Sequence, residues 1–420
     1  MIVLSGADLV LPDRILSRGT LVVDGGRIVE IRSDAPGGSH AAPFAFHDHY
    51  IVPGLIDVHV HGVDGVDSLG GAGAIRSIAA SLPRYGVTAF CPTTLACSPE
   101  ALRTVLQQVR DAREAPDPRS ARVLPAHLES NFINPEFRGA QPIECLRAPS
   151  HSATLLASRD ADATMKGSRY EGPDDFTGDD VLREIERATP DVGIVTVASE
   201  LDGGLDLIRW LASRGHYVSL GHSGATFEQA LAGIAAGARQ ATHLFNRMPP
   251  LHHRAPGLAG AVLQTDEVAA EVICDGFHVH PALVRMAIAA KRPSRVLAIT
   301  DATAAAGLPA GSRAQIGGRS ITATDSTALL DDGTIAGSVW TMNRVLGTLV
   351  GPVGLPLIDA VAVCSTTPAR ELGLVGHGVM AVDAVADLAV LDAKFNVVQT
   401  YVGGQLVYNR RANAGAPVSV

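Results

Sequence analysis

The stretch Pro53-Gly54-Leu55-Ile56-Asp57-Val58-His59-Val60-His61-Gly62 has the pattern of a buried β-strand that ends in a His-x-His pair. Successive side chains of a strand point to opposite faces, so the pattern predicts that Asp57, His59 and His61 share one face. The apolar residues between them would occupy the other face. Two imidazoles are thus presented side by side, and the segment predicts both a central strand of the fold and one side of a functional site.

Seven further apolar runs follow along the chain, and helix-like segments separate most of them. The eight predicted strands are Ile51–His61, Gly86–Cys91, Arg122–Glu129, Val192–Glu200, His216–His222, Arg239–His243, Val268–Asp275 and Arg295–Asp301. The helix-like segments include Ala72–Leu82, Pro99–Arg113, Gly203–Arg214, Thr226–Ala236 and Pro281–Lys291. This repeated alternation predicts an α/β fold, a (β/α)8 barrel of the TIM type, rather than an open sheet.

The two ends of the chain have a different pattern, typical of strands joined by tight turns. Residues Ile2–Ile31 alternate between apolar and polar side chains, and Ala386–Tyr408 contains strand-like runs separated by glycines. We expect the two ends to form one small β-sandwich domain, residues 1–52 and 379–420, with the barrel at 53–378 inserted between them. Inside the barrel, Leu308–Ile335 predicts a hairpin inserted after the last strand.

Composition excludes several classes of protein. The 420 residues carry a formal net charge of -9 and contain no cluster of Lys and Arg, which argues against a nucleic-acid surface. No apolar run approaches the roughly 20 residues needed to cross a bilayer, and the N-terminus has no export signal, so we expect a cytoplasmic protein without membrane contact. The five cysteines are odd in number and widely spread, which predicts no disulfide framework.

Six residues with metal-binding or acid–base side chains stand at the ends of predicted strands. They are His59, His61, Glu129, His222, His243 and Asp301. In a parallel barrel these ends meet at one rim, where the chemistry of such enzymes is carried out. Zn²⁺ and Fe²⁺ accept imidazole and carboxylate ligands, so the set predicts a metal-dependent hydrolase. His127, two positions before Glu129, is expected to be structural because the other residues already complete a site.

Over essentially its whole length the chain resembles the N-acetylglucosamine-6-phosphate deacetylases of the amidohydrolase superfamily. Besides Pro53–Gly62, the resemblance is carried by His127-Leu128-Glu129, Gly221-His222-Ser223-Gly224-Ala225-Thr226, Thr242-His243-Leu244-Phe245-Asn246, Asp275-Gly276-Phe277-His278, Thr300-Asp301-Ala302-Thr303 and Ile335-Ala336-Gly337-Ser338. It implies that Glu129, His222 and His243 hold one divalent metal. His59 and His61 would hold a second ion, with Glu129 as the bridge. Zinc is the first choice of metal, with Fe, Mn and Co as alternatives and one or two ions per subunit.

Six residues are predicted to bind the substrate, two of which, Gln141 and Arg247, stand where the chain departs from the family, with a plain surface position as the alternative for Arg247. They are Ala140, Gln141, Asn246, Arg247, Arg254 and His278. Arg254 matches an arginine that, in the family, reaches the substrate phosphate from the neighbouring subunit. A homodimer acting on a small amino sugar phosphate is therefore implied.

Asp301 is the predicted proton carrier. A metal ion lowers the pKa of bound water towards about 7, and a carboxylate beside it can take the proton and deliver it to the departing amine. The alternative role is that of an N-cap for a helix beginning at Asp301-Ala302-Thr303. Many binuclear amidohydrolases bridge their metals with a modified lysine on strand four, but Val192–Glu200 contains none. Glu129 is the available substitute, and we expect Glu200 to be structural.

The sequence departs from the family pattern in the substrate pocket. Glu129 is followed by Ser130-Asn131-Phe132 where Gly-Pro-Phe is usual, Gln141 stands where a histidine is usual, and Arg247 replaces a small residue. N-Acetylglucosamine 6-phosphate is the first candidate substrate. Its galactosamine epimer or another anionic N-acyl compound is the alternative. A non-catalytic binding protein on this fold would be expected to have lost metal ligands or Asp301, and a hydride-transfer enzyme would need a Gly-x-Gly-x-x-Gly that is missing after the first strand.

Overall fold

The computed structural model describes residues 1–33, 44–149 and 176–413. Both predicted domains include segments outside the described residues: 34–43 and 414–420 in the terminal domain, and 150–175 in the barrel. The exact division of the chain at residues 53 and 378 stays a prediction.

The predicted barrel is confirmed, with eight parallel strand positions in chain order. They are occupied by Leu55–Val60, Val87–Thr94, Arg122–Val123 with Ala126–Leu128, Val192–Val197, Tyr217–Leu220, Gln240–Ala241, Ala269–Ile273 and Val296–Ile299. The last strand returns to the first through a parallel bridge between Val60 and Ala302. The amide of His61 donates a 2.8 Å hydrogen bond to the carbonyl of Ala302 at the same place. The eight carboxyl ends therefore meet at one rim.

Helices cover the outside of the barrel. The α-helices are Ala74–Ser81, Pro99–Glu114, Gly178–Arg187, Gly204–Ser213, Phe227–Ala236, Gly257–Gln264, Pro281–Lys291, Met342–Val350, Leu357–Val361, Thr367–Glu371 and Arg410–Asn413, with a π-helical turn at Ala362–Thr366. Short 3₁₀ turns lie at Leu82–Tyr85, Pro135–Phe137, Ile143–Cys145, Thr189–Asp191 and Pro293–Arg295. No helix among the described residues is long and apolar enough to cross a membrane. All five cysteines are buried.

The helix Pro99–Glu114 illustrates why these segments are helical. Ser98 accepts a hydrogen bond from the amide of Ala101, and Pro99 occupies the first helical position, where its missing N–H costs nothing. The buried side chains, Leu102, Val105, Leu106, Val109 and Ala112, recur at the spacing of one helix face. That apolar stripe packs the helix against the barrel strands.

The terminal strands form a separate eight-stranded sheet, as predicted from both ends of the chain. Its strands are Ile2–Val10, Ile15–Asp24, Arg27–Ser33, Phe44–Ala45, His49–Pro53, Leu388–Asp392, Val397–Val402 and Gln405–Asn409. The strand His49–Pro53 lies between Ile2–Val10 and Leu388–Asp392, so the prediction of one continuous strand from Ile51 to His61 is wrong. The chain changes sheets at Gly54, where a Cβ atom would collide with the side chain of Thr88.

The predicted alternation of side chains along the first barrel strand is also interrupted. Asp57 pairs with Phe90 and Val60 pairs with Pro92, so three steps on the first strand match two on its neighbour. Such a bulge turns consecutive side chains to the same side and is common next to active sites. Asp57 consequently does not share a face with His59 and His61: it accepts a 2.5 Å hydrogen bond from the Thr300 hydroxyl instead.

The insertion after the last barrel strand is larger than the predicted hairpin. It is a three-stranded antiparallel sheet of Arg313–Ile316, Arg319–Ala323 and Ala328–Leu330. The sheet packs over the rim with its own small apolar cluster, which includes Ile316, Ile321 and Val339. A further two-stranded pair, Gly62–Val63 with Val66–Asp67, follows the His-x-His segment at the same rim.

Candidate active site and metal centre

A cavity of about 380 Å³ opens at the carboxyl ends of the barrel strands. Most of the predicted site residues line it, namely His61, Glu129, Ala140, Gln141, His222, His243, Asn246, Arg247, His278 and Asp301. His59 is fully buried directly behind His61. Arg254 is exposed on a turn outside the cavity. The sequence thus predicted residues that the fold brings to one place, apart from Arg254.

Glu129, His222 and His243 form what we call the loop half of the site, because each follows a strand end. The Nε2 atoms of His222 and His243 each lie 2.8 Å from the Glu129 Oε1 atom and 3.0 Å from one another. Both histidines have positive φ, 45° for His222 and 30° for His243, a conformation that is uncommon for residues other than glycine. Local backbone geometry therefore directs the two rings towards the same carboxylate oxygen.

The donor set of the loop half fits a divalent cation. The Nδ1 atom of His222 lies 2.8 Å from the carbonyl oxygen of Phe137 and donates its proton there, so its Nε2 atom carries a lone pair. That lone pair, the Nε2 atom of His243 and a Glu129 oxygen lie within 4.8 Å of one another. Three convergent ligand atoms of this kind are the usual protein share of a catalytic zinc site.

His59 and His61 form the strand half of the site. Their Nε2 atoms are 3.2 Å apart, and each lies 3.4 Å from the Oδ1 atom of Asp301. The Oε2 atom of Glu129 is 3.5 Å from His61 Nε2, while its Oε1 atom faces the loop half. Glu129 therefore lies between the two halves, in the position of a bridging carboxylate.

Burial and neighbouring charged groups shift the pKa values of the side chains in the strand half. Burial disfavours the charged form of His61, but hydrogen bonds to Asp301 and Glu129 together outweigh it and raise its pKa to about 10. Burial dominates at His59 and lowers its pKa to about 4. Burial also acts to raise the pKa of Asp301, yet the neighbouring His59 and His61 hold it below its usual value. Asp301 is thus ionised at neutral pH and able to accept a proton.

Asp301 does not cap a helix. Its φ is 52°, and the residues after it form a turn rather than a helix. Its amide donates a 3.1 Å hydrogen bond to the carbonyl of His59, and its own carbonyl accepts one of 2.9 Å from Ser338. These bonds hold the carboxylate over the strand half, so the N-cap alternative is excluded.

Sequence reasoning missed one buried acid, Glu271. Its Oε2 atom lies 2.9 Å from the Nδ1 atom of His59, and its Oε1 atom accepts a 2.5 Å hydrogen bond from Gln240. Burial raises the pKa of Glu271 to about 7. The strand-end pattern does not point to Glu271, because this residue stands in the middle of the strand Ala269–Ile273. The available signal was an acid flanked by apolar residues in that strand.

His127 and Glu200 have the structural contacts predicted for them. The ring nitrogens of His127 lie 3.1 Å from the carbonyl oxygen of Val58 and 3.0 Å from the hydroxyl of Thr196. The carboxylate of Glu200 accepts 2.6 Å hydrogen bonds from the Ser223 hydroxyl and the Gly224 amide, next to His222. Glu200 therefore ties down the loop that presents His222.

Two departures from the family pattern, Gln141 and Arg247, line the cavity. The amide of Gln141 donates to Glu129 through its nitrogen and accepts a 2.7 Å hydrogen bond from the amide of Ala96. Arg247 has a positive φ of 53° and packs against Gly139, where any Cβ atom would collide with its guanidinium. The guanidinium lies at the mouth of the cavity, 3.4 Å from the carbonyl of Ile335.

Two polar groups face the cavity without a partner among the described residues. The Nδ1 atom of His278 lies 2.6 Å from Asp275, which leaves Nε2 free, and the side-chain amide nitrogen of Asn246 is likewise unpaired. Asp275 also accepts a 3.2 Å hydrogen bond from the hydroxyl of Ser338. Buried polar atoms without partners are costly unless a ligand satisfies them, so both groups are suited to bind a polar substrate.

Known proteins resemble the chain in sequence and in structure. Residues 211–407 match the model of the amidohydrolase family. The N-acetylglucosamine-6-phosphate deacetylase of Bacillus subtilis is 30% identical over 95% of each chain. The human enzyme of the same name is 34% identical over 95% of this chain and 90% of its own.

Two solved structures of N-acetylglucosamine-6-phosphate deacetylases also resemble the chain. A mutant N-acetyl-D-glucosamine-6-phosphate deacetylase from Mycobacterium smegmatis, in complex with N-acetyl-D-glucosamine-6-phosphate, superposes with a TM-score of 0.83 at 29% identity and covers 97% of this chain and 99% of its own. The N-acetylglucosamine-6-phosphate deacetylase from Thermotoga maritima superposes with a TM-score of 0.78 at 27% identity, and the match covers 97% of this chain and 100% of its own. The chain therefore belongs to the N-acetylglucosamine-6-phosphate deacetylase family and is a metal-dependent amidohydrolase.

Proposed function

We propose that this enzyme hydrolyses the N-acetyl group of an amino sugar phosphate and releases acetate and the free amine. N-Acetylglucosamine 6-phosphate is the first candidate substrate. The observation that carries the proposal is the position of Asp301, whose carboxylate lies 3.4 Å from two imidazole nitrogens at the edge of the cavity. The names of the relatives and the sugar phosphate bound by the Mycobacterium smegmatis enzyme support this choice of substrate.

The chain's donor atoms suit two divalent ions, with zinc as the first choice. Glu129, His222 and His243 would hold one ion, and His59 and His61 would hold the other, with Glu129 shared between them. Such ions supply Lewis-acid polarisation of an amide carbonyl and acidification of water. Zinc matches the mixture of imidazole and carboxylate, although Fe, Mn and Co accept the same ligands.

Asp301 would move the proton during hydrolysis. Its carboxylate takes a proton from the attacking water and then delivers it to the amine nitrogen, which leaves poorly unless it is protonated. His278 keeps its free Nε2 atom towards the cavity because Asp275 holds the other ring nitrogen. It can therefore contact the N-acetyl group or a sugar hydroxyl. The direct substrate contacts of Gln141, Ala140 and Asn246 stay predictions.

The phosphate would bind near Arg247 at the mouth of the cavity. Among the described residues, no carboxylate forms an ion pair with Arg247, so its charge is available to an anionic group. Arg254 lies outside its own subunit's cavity, a position that suits the predicted contribution to a partner's site. The homodimer and the cytoplasmic location stay predictions.

Acetate release tests the proposal. The zinc-loaded enzyme is assayed on N-acetylglucosamine 6-phosphate, N-acetylgalactosamine 6-phosphate and phosphate-free N-acetylglucosamine. We expect acetate release from N-acetylglucosamine 6-phosphate and little release from phosphate-free N-acetylglucosamine. Turnover of the epimer alone would show that Gln141 and Arg247 mark a changed substrate, and absence of turnover on both esters would contradict the proposed substrate class.

A further inference from the structure

We propose that Glu271 positions His59 as a metal ligand and thereby determines whether the strand half of the site retains its ion. This inference rests on the proposed function, since it concerns the second metal of that site. It assigns a role to a carboxylate that lies behind the ligands and does not line the cavity.

The His59 ring is held between Glu271 on one side and the metal site on the other. Its Nδ1 atom lies 2.9 Å from Glu271 Oε2, while its Nε2 atom points towards His61 and Asp301. In its ionised form Glu271 can only accept, so the contact then keeps the imidazole proton on Nδ1 and leaves the Nε2 lone pair free for a metal. Metal-ligating histidines commonly donate their second ring N–H to a carboxylate in this way.

Glu271 itself is held in one orientation. Its side chain is completely buried, and Gln240 donates a 2.5 Å hydrogen bond to the Oε1 atom. The backbone amide of His243 lies 3.4 Å from Oε2, so the same carboxylate contacts both halves of the site. A rigid acceptor fixes the tilt of the His59 ring as well as its tautomer.

Burying the carboxylate of Glu271 at this position costs free energy. Glu271 stands in a strand of Ala, Val and Ile, and its ion-pair partners among the described residues are imidazoles, not Lys or Arg. A buried charge of this kind is expensive, and an apolar side chain would fill the barrel interior more cheaply. Cations held beyond His59 would offset that cost.

The test is the zinc content and affinity of Glu271→Gln. The variant keeps the shape of the side chain, but its amide no longer selects the tautomer of His59. Wild-type and variant proteins are saturated with Zn²⁺ and buffer-exchanged, and the ions per chain are counted by plasma mass spectrometry. A competing chromophoric chelator gives the affinity of each ion. We expect two ions in the wild type, and in the variant a second ion bound about 10- to 100-fold more weakly.

Asp57→Asn is the matched control. Asp57 is also a fully buried barrel carboxylate close to His59 in sequence, but it accepts from the Thr300 hydroxyl and from the backbone amides of His59 and Thr300 rather than from an imidazole ring. We expect this variant to bind both ions normally. Loss of the second ion in Asp57→Asn as well would mean that any buried charge change in the barrel disturbs the site, which would overturn the specific role of Glu271.

A double variant separates positioning from general damage to the fold. In a His59→Asn background the second ion is already lost, so adding Glu271→Gln should leave the affinity of the remaining ion unchanged. Weakening of that ion would show that Glu271 acts on the loop half directly, through the amide of His243, and would overturn a role confined to His59. Normal binding of two ions by Glu271→Gln, or binding of one ion by the wild type, would also overturn the inference.

None of these measurements depends on substrate. Failure of acetate release would therefore contradict the proposed substrate while leaving the metal counts interpretable. If Glu271→Gln does not fold, Gln240→Leu removes the donor that orients Glu271. That variant should weaken the second ion in the same direction but to a smaller extent, and unchanged affinity would count against the inference.

Discussion

The two halves of the metal centre are built by different means. In the loop half, His222 and His243 are directed by unusual local backbone angles, and a backbone carbonyl orients the His222 ring. In the strand half, His59 lies in a bulged strand and its ring is held by Glu271, a residue 212 positions away in the chain. Both orienting groups are remote in the chain, but that of the loop half is a backbone carbonyl, 85 positions from His222, whereas that of the strand half is a side chain. A single substitution can therefore remove the orienting group of the strand half and leave that of the loop half in place.

The largest expected effect comes from matched substitutions in the two halves. His222→Asn should lose zinc from the loop half and reduce acetate release to the background of the metal-free protein. His59→Asn should retain one ion and measurable turnover, because the loop half remains complete. Zinc counts and kcat of both variants, measured in parallel, check this. Equal loss in the two variants would mean that the halves are not independent.

Removal of the proton carrier should leave both halves intact. Asp301→Asn keeps the size of the side chain but cannot take a proton from water, so kcat should fall by on the order of 10²- to 10⁴-fold. Zinc content should stay at the wild-type value. Steady-state kinetics combined with metal analysis test the prediction, and near-normal kcat would remove Asp301 from the mechanism.

A smaller effect is expected from the anchor of the His222 loop. Glu200→Gln weakens the charged hydrogen bonds to Ser223 and Gly224, so the free energy of unfolding should decrease by roughly 1–2 kcal/mol. Denaturant unfolding measures the change, with the exposed Asp202→Asn on the same loop as the control. If the loop half depends on this anchor, zinc affinity at that half alone should also decrease. An effect confined to the strand half would contradict the comparison.

A substitution of Asp387, which joins the terminal sheet to the barrel, is expected to affect the two halves of the metal site least. Burial acts to raise the pKa of Asp387, but His377 and Arg122 hold it below its usual value. A depressed carboxylate pKa stabilises the fold above the unfolded-state value of about 3.9 and loses this contribution as pH falls further.

Asp387→Asn should therefore be less stable than the wild type at pH 7 by roughly 1–3 kcal/mol, with the difference shrinking below about pH 4. Unfolding curves between pH 3 and 7 measure this, with the exposed Asp13→Asn as the control. Zinc counts should stay unchanged in both variants. A pH-independent difference would show that the charge of Asp387 is not what stabilises the junction.

Much of this molecule could be predicted from residue patterns. The barrel strands followed from local apolar runs, because a strand buried on both faces has little alternative to such a run. The terminal sheet followed from the alternation of apolar and polar residues and from turn signals. The sheet change at Gly54 was not predictable, since both sides of it are apolar and only the approach of Thr88 reveals the break. The bulge after Asp57 was not predictable either. Side chains of a strand are expected to alternate strictly between its faces, and only the register with the neighbouring strand shows where this alternation is interrupted.

The sequence by itself determined the fold class, the family and the ligand types, because short motifs such as His59-Val60-His61 encode their chemistry locally. Only the tertiary structure decided which acid stands behind His59, which way Asp57 points and that Gln141 is hydrogen-bonded to Glu129. These contacts join side chains that are distant in the chain or separated by loops. Closure of the barrel sets their distances, and no local pattern of residues carries that information.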